Sequence, residues 1–441
     1  MKSRKIRVFP TLNQRKTLDE WFGAARWTYN KCLEAIKAKM ASLNKKSLRA
    51  LALNSDSALV KENKWLLDTP YDFRDEAMND LLKAYDSNFA AGRTNFEIHF
   101  RSKKDNTQSL VVLKQRWNAT RGVVSSVFSP RNLRAECPLP DDLPADARFI
   151  RTRLGQYFLC LPEPITQWTP GKQPIKPKRT PAGIDLDECG ICVVAGTENQ
   201  GPDPAKHCTV ALDPGVRTFM TGYDADGRII EWGKKDIARI HRLCSFYDKL
   251  QSKWSAQGVP KRNRRRMRRA GLRLQQKIRN LVDELHKKLA RWLCLNFRVV
   301  MLPVFETSRM VPRNGRRLNS RTARAMLTWS HFRFRQRLLH KAREFEHCNI
   351  YLCTEEYTSK TCTMCGRIHE QLGGSKQFHC PSCHVLLDRD VNGARNILIK
   401  FLTQRVKSTS RNYLDVVPGL RLPSSGPFPG AEAGSTTTVW C

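Results

Sequence analysis

Residues 4–9, Arg-Lys-Ile-Arg-Val-Phe, alternate between polar and apolar as a short strand does, and Pro10 ends the run. Leu18, Phe22, Ala25, Tyr29, Leu33, Ile36 and Met40 then recur every three or four positions, which predicts one helix with a single apolar face. Helical spacing continues through 51–60 and 74–90, so residues 11–101 read as a helical lobe. From residue 107 the period shortens. Runs at 109–113, 123–128, 148–153 and 156–161 are rich in β-branched or aromatic residues and are separated by Gly, Pro and Asn. They predict a small β-barrel made of residues 1–10 and 102–161.

Pro162, Pro164, Pro170, Pro174, Pro177 and Pro181 lie among lysines and arginines, and residues 162–205 read as a linker or insert. A second large domain follows. Runs 208–212, 217–223 and 228–232 predict three strands, the last two joined by the tight turn Asp224-Ala225-Asp226-Gly227. Helices are expected at 235–256 and 263–296, an apolar strand at 298–304, a helix at 322–346, a strand at 349–353 and a final helix at 391–402. The fold class is therefore α/β and multidomain. Residues 406–441, rich in Ser, Pro, Gly and Thr, are expected to be a disordered tail. No internal repeat is visible.

Charge narrows the partners. The 441 residues carry 77 Lys and Arg against 41 Asp and Glu, a formal net charge of +36. Such an excess points to a polyanion and to binding that weakens steeply with salt. The basic residues run throughout the chain and do not flank an apolar segment, so no membrane partner is expected. The first twelve residues lack the apolar core of a signal peptide. With an odd count of 15 cysteines, this implies a reducing compartment whose thiols are free or metal-bound.

The strongest chemical motif is Cys362-x-x-Cys365 followed by Cys380-x-x-Cys383. Each pair forms a tight knuckle that aims two thiolates at one point. Two knuckles make a closed four-thiolate site for one structural zinc, with no position left for substrate. His379 and His384 adjoin the ligands but are not needed. A second constellation is acidic. Asp213 ends an apolar strand with its own hairpin, Glu306 follows strand 298–304, and Asp390 opens the last helix in Asp388-Arg389-Asp390-Val391-Asn392-Gly393-Ala394. In an RNase H-like sheet three such acids converge at one edge and bind two divalent cations, magnesium by their hard oxygen ligands. Singly, Asp213 could be a turn residue, Glu306 an ordinary residue after a strand, and Asp388 or Asp390 a helix cap. Asp185, in Gly183-Ile184-Asp185, competes with Asp213 for the first position; Asp213 is preferred because its hairpin follows at once. Cys189-x-x-Cys192, with His207 and Cys208, could form a second zinc site or remain free thiols. The tract Lys261, Arg262, Arg264, Arg265, Arg266, Arg268 and Arg269 is read as phosphate-backbone contacts and, in a eukaryotic host, a nuclear-import signal. Trp21, Phe22, Trp27 and Tyr29 could stack bases, but Phe22 and Tyr29 fall on the apolar stripe and are assigned to packing.

Tyr357-Thr358-Ser359-Lys360-Thr361-Cys362, the second knuckle, and Asp388-Arg389-Asp390-x-Asn392-x-Ala394-x-Asn396-Ile397-Leu398 together resemble the C-terminal signature of the TnpB family of transposon-associated, RNA-guided DNA nucleases, which are related to type V CRISPR effectors. Leu212-Asp213-Pro214-Gly215-Val216-Arg217-Thr218-Phe219 is more similar to the eukaryotic and viral branch, Fanzor. Phe9-Pro10-Thr11, Gln14, Trp21-Phe22-Gly23 and Tyr29-Asn30-Lys31 resemble the family's opening strand and helix. The resemblance implies a helical recognition lobe (11–101), a wedge-like barrel, a RuvC-like nuclease domain (206–353 and 388–405) and a zinc-bearing target-nucleic-acid-binding insert (354–387). It maps the three catalytic, magnesium-binding acids onto Asp213, Glu306 and Asp390, with Asp388 in support. Many relatives have Ala where this chain has Gly393, and residues 182–200 have no counterpart. The implied partners are a guide RNA and target double-stranded DNA in a monomeric ribonucleoprotein, located in the nucleus of a eukaryote and otherwise in the cytoplasm. A guide-independent transposase-like nuclease and a non-catalytic nucleic-acid-binding zinc protein are the alternatives.

Overall fold

The computed structural model describes residues 1–117, 133–168, 209–312 and 318–407. The strand expected at 123–128, Asp185, Cys189, Cys192, His207, Cys208, most of the linker and the tail lie outside the described residues. The chain divides into two units, residues 1–165 and, from 166 onward, the second unit.

The first unit runs β1 (Lys2–Val8), α1 (Leu12–Lys37), α2 (Lys45–Ala52), α3 (Ala58–Glu62), α4 (Tyr71–Ala90), β2 (Thr107–Val112), β3 (Ala147–Thr152) and β4 (Tyr157–Glu163). Thr11 and Gln14 start α1 as a capping box, each side chain accepting from the other's backbone N–H. The predicted stripe is buried at Leu18, Phe22, Ala25, Tyr29 and Leu33. Met40 departs from it: α1 ends at Lys37, Lys39 turns left-handed (φ 58°), and Met40 is 73% exposed. The helix expected at 51–60 is interrupted, because α2 stops at Ala52 and α3 begins at Ala58. The strands form an antiparallel sheet of order β1-β4-β3-β2, with Arg134 and Glu136 bonding the outer edge of β1. The barrel expected here includes residues 118–132, which lie outside the described residues; the described strands form this one sheet. Half-buried Asp80 of α4 binds Arg101 and Arg148, tying the helical layer to β3.

The second unit runs β5 (Thr209–Pro214), β6 (Met220–Asp224), β7 (Ile229–Trp232), α5 (Asp236–Ser255), α6 (Lys261–Asn296), β8 (Val299–Pro303), α7 (Thr307–Met310), α8 (Ser320–Trp329), α9 (His331–Ala342), β9 (Asn349–Cys353), β10 (Gln377–His379), β11 (Leu386–Asp388) and α10 (Arg389–Lys407). The single helix expected at 322–346 is two, because Ser330 adopts φ 52° and breaks it. Five strands make a sheet of order β7-β6-β5-β8-β9; β7-β6-β5 pair antiparallel and β5-β8-β9 pair parallel. Helices cover both faces, so the central strands read as nearly continuous apolar runs. Val210, Leu212, Val300 and Leu302 pack with Ile240, Val282, Leu289, Trp329 and Phe334 on one face. Ala211 and Met301 pack against Ile397 and Leu398 of α10 on the other.

The turn after β5 is fixed from the first of these faces. Trp329 is fully buried, stacks near Phe219, and its indole N–H donates to the Val216 carbonyl at 2.9 Å. Phe219 is itself stacked between His286 and His331. Trp329→Ala should lower stability by about 3–5 kcal/mol through cavity formation. Trp329→Phe, which loses mainly the hydrogen bond, should cost about 1–3 kcal/mol. Chemical denaturation of the two variants checks the ranking; a Trp329→Phe variant as stable as wild type would remove the anchoring role of the indole N–H.

Candidate functional site

Side chains alternate across a strand, so Asp213 shares the α10 face of β5 with Ala211. The first turns of α10 come so close that a β-carbon at position 393 would lie 2.6 Å from Asp213 Oδ2. Asp390, one turn earlier on the same helix, is near enough to Asp213 to raise its pKa. Burial is the larger cause, and together they hold the Asp213 carboxyl well above the usual range. Asp390 is raised as well, by burial and then by Asp388 and, less strongly, Glu231. Two sequence-predicted acids thus meet where a strand end and a helix start converge.

Glu306 does not join them. The chain leaves β8 at Pro303, and Glu306 caps the one-turn α7, where its carboxylate pairs with Arg309 at 2.6 Å. The acid that does act on Asp213 is Glu355. Its position follows from register. Pro303 pairs with Cys353, and the parallel ladder puts Met301, Tyr351 and Cys353 on the α10 face. Continuing the alternation by two residues brings Glu355 to that face beyond β9. Burial raises its pKa to about 7. The sequence holds one usable signal, the two-residue step from Cys353 to Glu355. Reading it requires knowing that β9 lies beside β8. A further carboxylate, buried Glu231, belongs to the same cross-strand row: Asp213 pairs with Thr221, and Thr221 with Glu231. Lys234 neutralises Glu231 in a close ion pair. The Thr221 hydroxyl between them is buried and makes no hydrogen bond. Half-buried like charges and an unused buried hydroxyl suit a bound cation, and Asp213, Glu355 and Asp390 are the residues that would hold it.

The thiols assemble as their spacing requires. Cys362, Cys365, Cys380 and Cys383 place their sulfurs within 4.8 Å of one another, with Cys362–Cys383 and Cys365–Cys380 each at 3.6 Å. Zn–S bonds of about 2.3 Å at tetrahedral angles need sulfurs about 3.8 Å apart, so the set fits zinc. Backbone N–H groups of Ser382 and Cys383 point at Cys380 Sγ. The knuckle is bolted to α10 by two asparagines one helical turn apart. Asn392 donates to the Thr361 carbonyl (2.8 Å) and accepts from the Thr363 N–H (3.2 Å). Asn396 donates to the carbonyls of Thr358 (2.8 Å) and Thr361 (2.6 Å). Asp388 accepts the Asp390 N–H at 2.9 Å and pairs with Lys376 at 3.1 Å. His379 and His384 are exposed and stand outside the thiolate set.

The basic tract opens α6. Lys261, Arg262, Arg265, Arg266, Arg268 and Arg269 are exposed and Arg264 is partly buried; the helix carries no acid before Asp283. Cations at a helix N-terminus oppose the helix dipole, so the tract costs helix stability unless an anion covers it. Trp21, Phe22 and Tyr29 are buried in the first unit, as packing requires.

Residues 331–397 match the family model of the Cas12f1-like TNB domain, and residues 1–46 match a helix-turn-helix domain of the OrfB/IS605 type. That second stretch consists here of β1, α1 and the start of α2. A transposase of Paramecium bursaria Chlorella virus 1 is 28% identical over 91% of this chain and 87% of its own. A TnpB-like protein of Acanthamoeba polyphaga mimivirus is 22% identical over 90% and 72%. A protein of Streptomyces pristinaespiralis named an RNA-guided DNA endonuclease is 25% identical over 89% and 88%. A solved CRISPR-Cas12f ternary complex aligns over 87% of this chain and 81% of that one, at 12% identity and a TM-score of 0.35. The resemblance to TnpB-like proteins thus extends over about nine-tenths of the chain.

Two outcomes follow from the site. Purified protein should hold one zinc per chain by metal analysis, and Cys362→Ser or Cys380→Ser should lose it together with thermal stability; retained zinc in both would break the four-thiolate assignment. The acids give a pH signature. Glu355 and Asp213 have raised pKa values in the folded chain, so without a cation stability is present below the ordinary carboxyl range. It falls as pH rises from about 4.5 through about 7. Added magnesium should therefore raise the melting temperature more at pH 8 than at pH 5. Asp213→Asn should remove the difference.

Proposed function

We propose that this TnpB-like chain is an RNA-guided DNA endonuclease whose second unit is an RNase H-like (RuvC) nuclease cutting with Asp213, Glu355 and Asp390. The observation that carries this reading is the convergence of carboxyl groups from the ends of two strands and the start of α10, on a five-stranded sheet with three antiparallel and two further parallel strands. Asp213 supplies the central carboxylate, Asp390 approaches from the helix, and Glu355 from beyond β9. Magnesium ions bound there would align the attacking water and stabilise the leaving oxygen of a phosphodiester. The zinc knuckle is structural and contacts the target nucleic acid, a reading that the TNB-like match over residues 331–397 supports.

Guide pairing reads the target in this proposal, and the protein holds the heteroduplex by its backbone. The net charge of +36 and the α6 tract suit a long structured RNA. The partners are one guide RNA and target double-stranded DNA, in a monomeric ribonucleoprotein of the Fanzor branch that is nuclear in a eukaryote. The relatives named transposases keep a guide-independent nuclease as the second reading. RNA bound to the purified protein separates the two: a protected species of uniform length supports a guide, and DNA cleavage that survives RNase treatment supports the other.

Alanine at Asp213, Glu355 or Asp390 should reduce magnesium-dependent cleavage by at least about a hundredfold, the scale of a lost two-metal ligand, and leave RNA binding intact. Glu306→Ala should stay within a few-fold of wild type. The reverse ranking of Glu306 and Glu355, measured with a guided linear DNA substrate, would return the third position to Glu306.

A further inference from the structure

On the face of the sheet away from the carboxylates, an open cavity of about 620 Å³ lies between α5 and α8. Its α5 wall is made of Ala238, His241, Arg242, Ser245 and Asp248, spaced three or four apart and so on one helix face; Ser320, Arg321 and Arg324 come from α8. Asp248, the acid among these lining residues, is taken up by both guanidinium nitrogens of Arg324 at 2.5 and 2.9 Å. Arg242 and Arg321 make no hydrogen bond or ion pair among the described residues and are exposed. Positive charge from α8 is felt inside the cavity: burial and then Arg321 and Arg324 push the His241 pKa down. Arginines on a merely solvated surface can turn apart. Here two helices that share one apolar core hold them toward one opening.

We infer that this cavity is a second nucleic-acid contact, a pocket in which Arg242 and Arg321, with the hydroxyls of Ser245 and Ser320, hold a backbone phosphate. Guanidinium forks match phosphate oxygens and are weakly hydrated, which favours phosphate over a looser counterion. The Arg324–Asp248 pair braces the two helices and leaves the net positive charge to its neighbours. Because the sheet stands between the pocket and the acids, the phosphate held here is remote from the bond that is cut. The pocket positions a strand and takes no part in chemistry. Its polymer, RNA or DNA, rests on the function proposed above; the phosphate chemistry does not.

The test is fluorescence anisotropy of labelled single-stranded RNA and double-stranded DNA, titrated with the full-length protein over a range of salt. Arg242→Ala with Arg321→Ala leaves that one phosphate without its neutralising partners and should lower the slope of log affinity against log salt by about 0.7 on single-stranded RNA or about 0.9 on duplex DNA. The polymer that shows the change is the occupant. Ser245→Glu, which adds a negative charge and leaves both arginines in place, should weaken the same polymer. Melting temperature and zinc content confirm folding of each variant. Unchanged slopes on both polymers, with Ser245→Glu equal to wild type, overturn the pocket. The readout needs no cleavage, so a chain that fails to cut guided DNA yet shows the slope change loses the nuclease reading and keeps the pocket.

Discussion

The second unit is organised by the approach of α10 to β5. The helix meets Asp213 at a glycine, position 393, whose missing β-carbon leaves room for the carboxylate where it stands. Everything chemical is arranged around that contact. Asp390 stands one turn before it, the two clamping asparagines flank it, and apolar Ile397 and Leu398 beyond it pack on Ala211 and Met301. The apolar part of the helix supplies the driving force, and the polar part spends it on holding like charges together.

The zinc knuckle belongs to the same arrangement. Four thiolates round one ion would make a small rigid body from a stretch with little core of its own, since its buried apolar cluster is formed by Cys362, Phe378 and Cys380 with a few neighbours. Asn392 and Asn396 fasten that body to α10 through backbone carbonyls that would otherwise be unpaired. Glu355 is only a few residues before the first zinc-binding cysteine. The placement of one carboxylate thus depends on the knuckle, and the placement of another on the helix to which the knuckle is fastened.

Local chemistry was legible in the sequence, and lateral order was not. Cysteine spacing determines a four-thiolate cluster because each pair closes within its own turn. The stripe from Leu18 to Leu33 determines α1 because helical periodicity needs no partner. The five strands of the central sheet appeared as apolar runs within a few residues of their observed ends, while the two short strands of the cysteine module did not. Which run lies beside which depends on long-range pairing, and the third acid of the proposed site turns on it. Glu306 looked suitable by its nearness to a strand, yet the chain turns at Pro303 and the side chain finds Arg309. Glu355 became visible only once β9 was seen in register with β8. The breaks at residues 53–57 and at Ser330 were missed for a related reason: the apolar spacing carries across each break, while the backbone does not.

Asn392 and Gly393 also form a dipeptide with a chemical liability. In an unfolded chain the amide nitrogen of a glycine readily attacks the preceding asparagine side chain, closing a ring that opens to aspartate or its isomer. The helical backbone of α10 holds that nitrogen away from the attack, and the side chain is occupied on both sides by Thr361 and Thr363. Folding therefore protects this bond from ageing. The turn that admits the helix to the acids is also the turn most in need of staying wound.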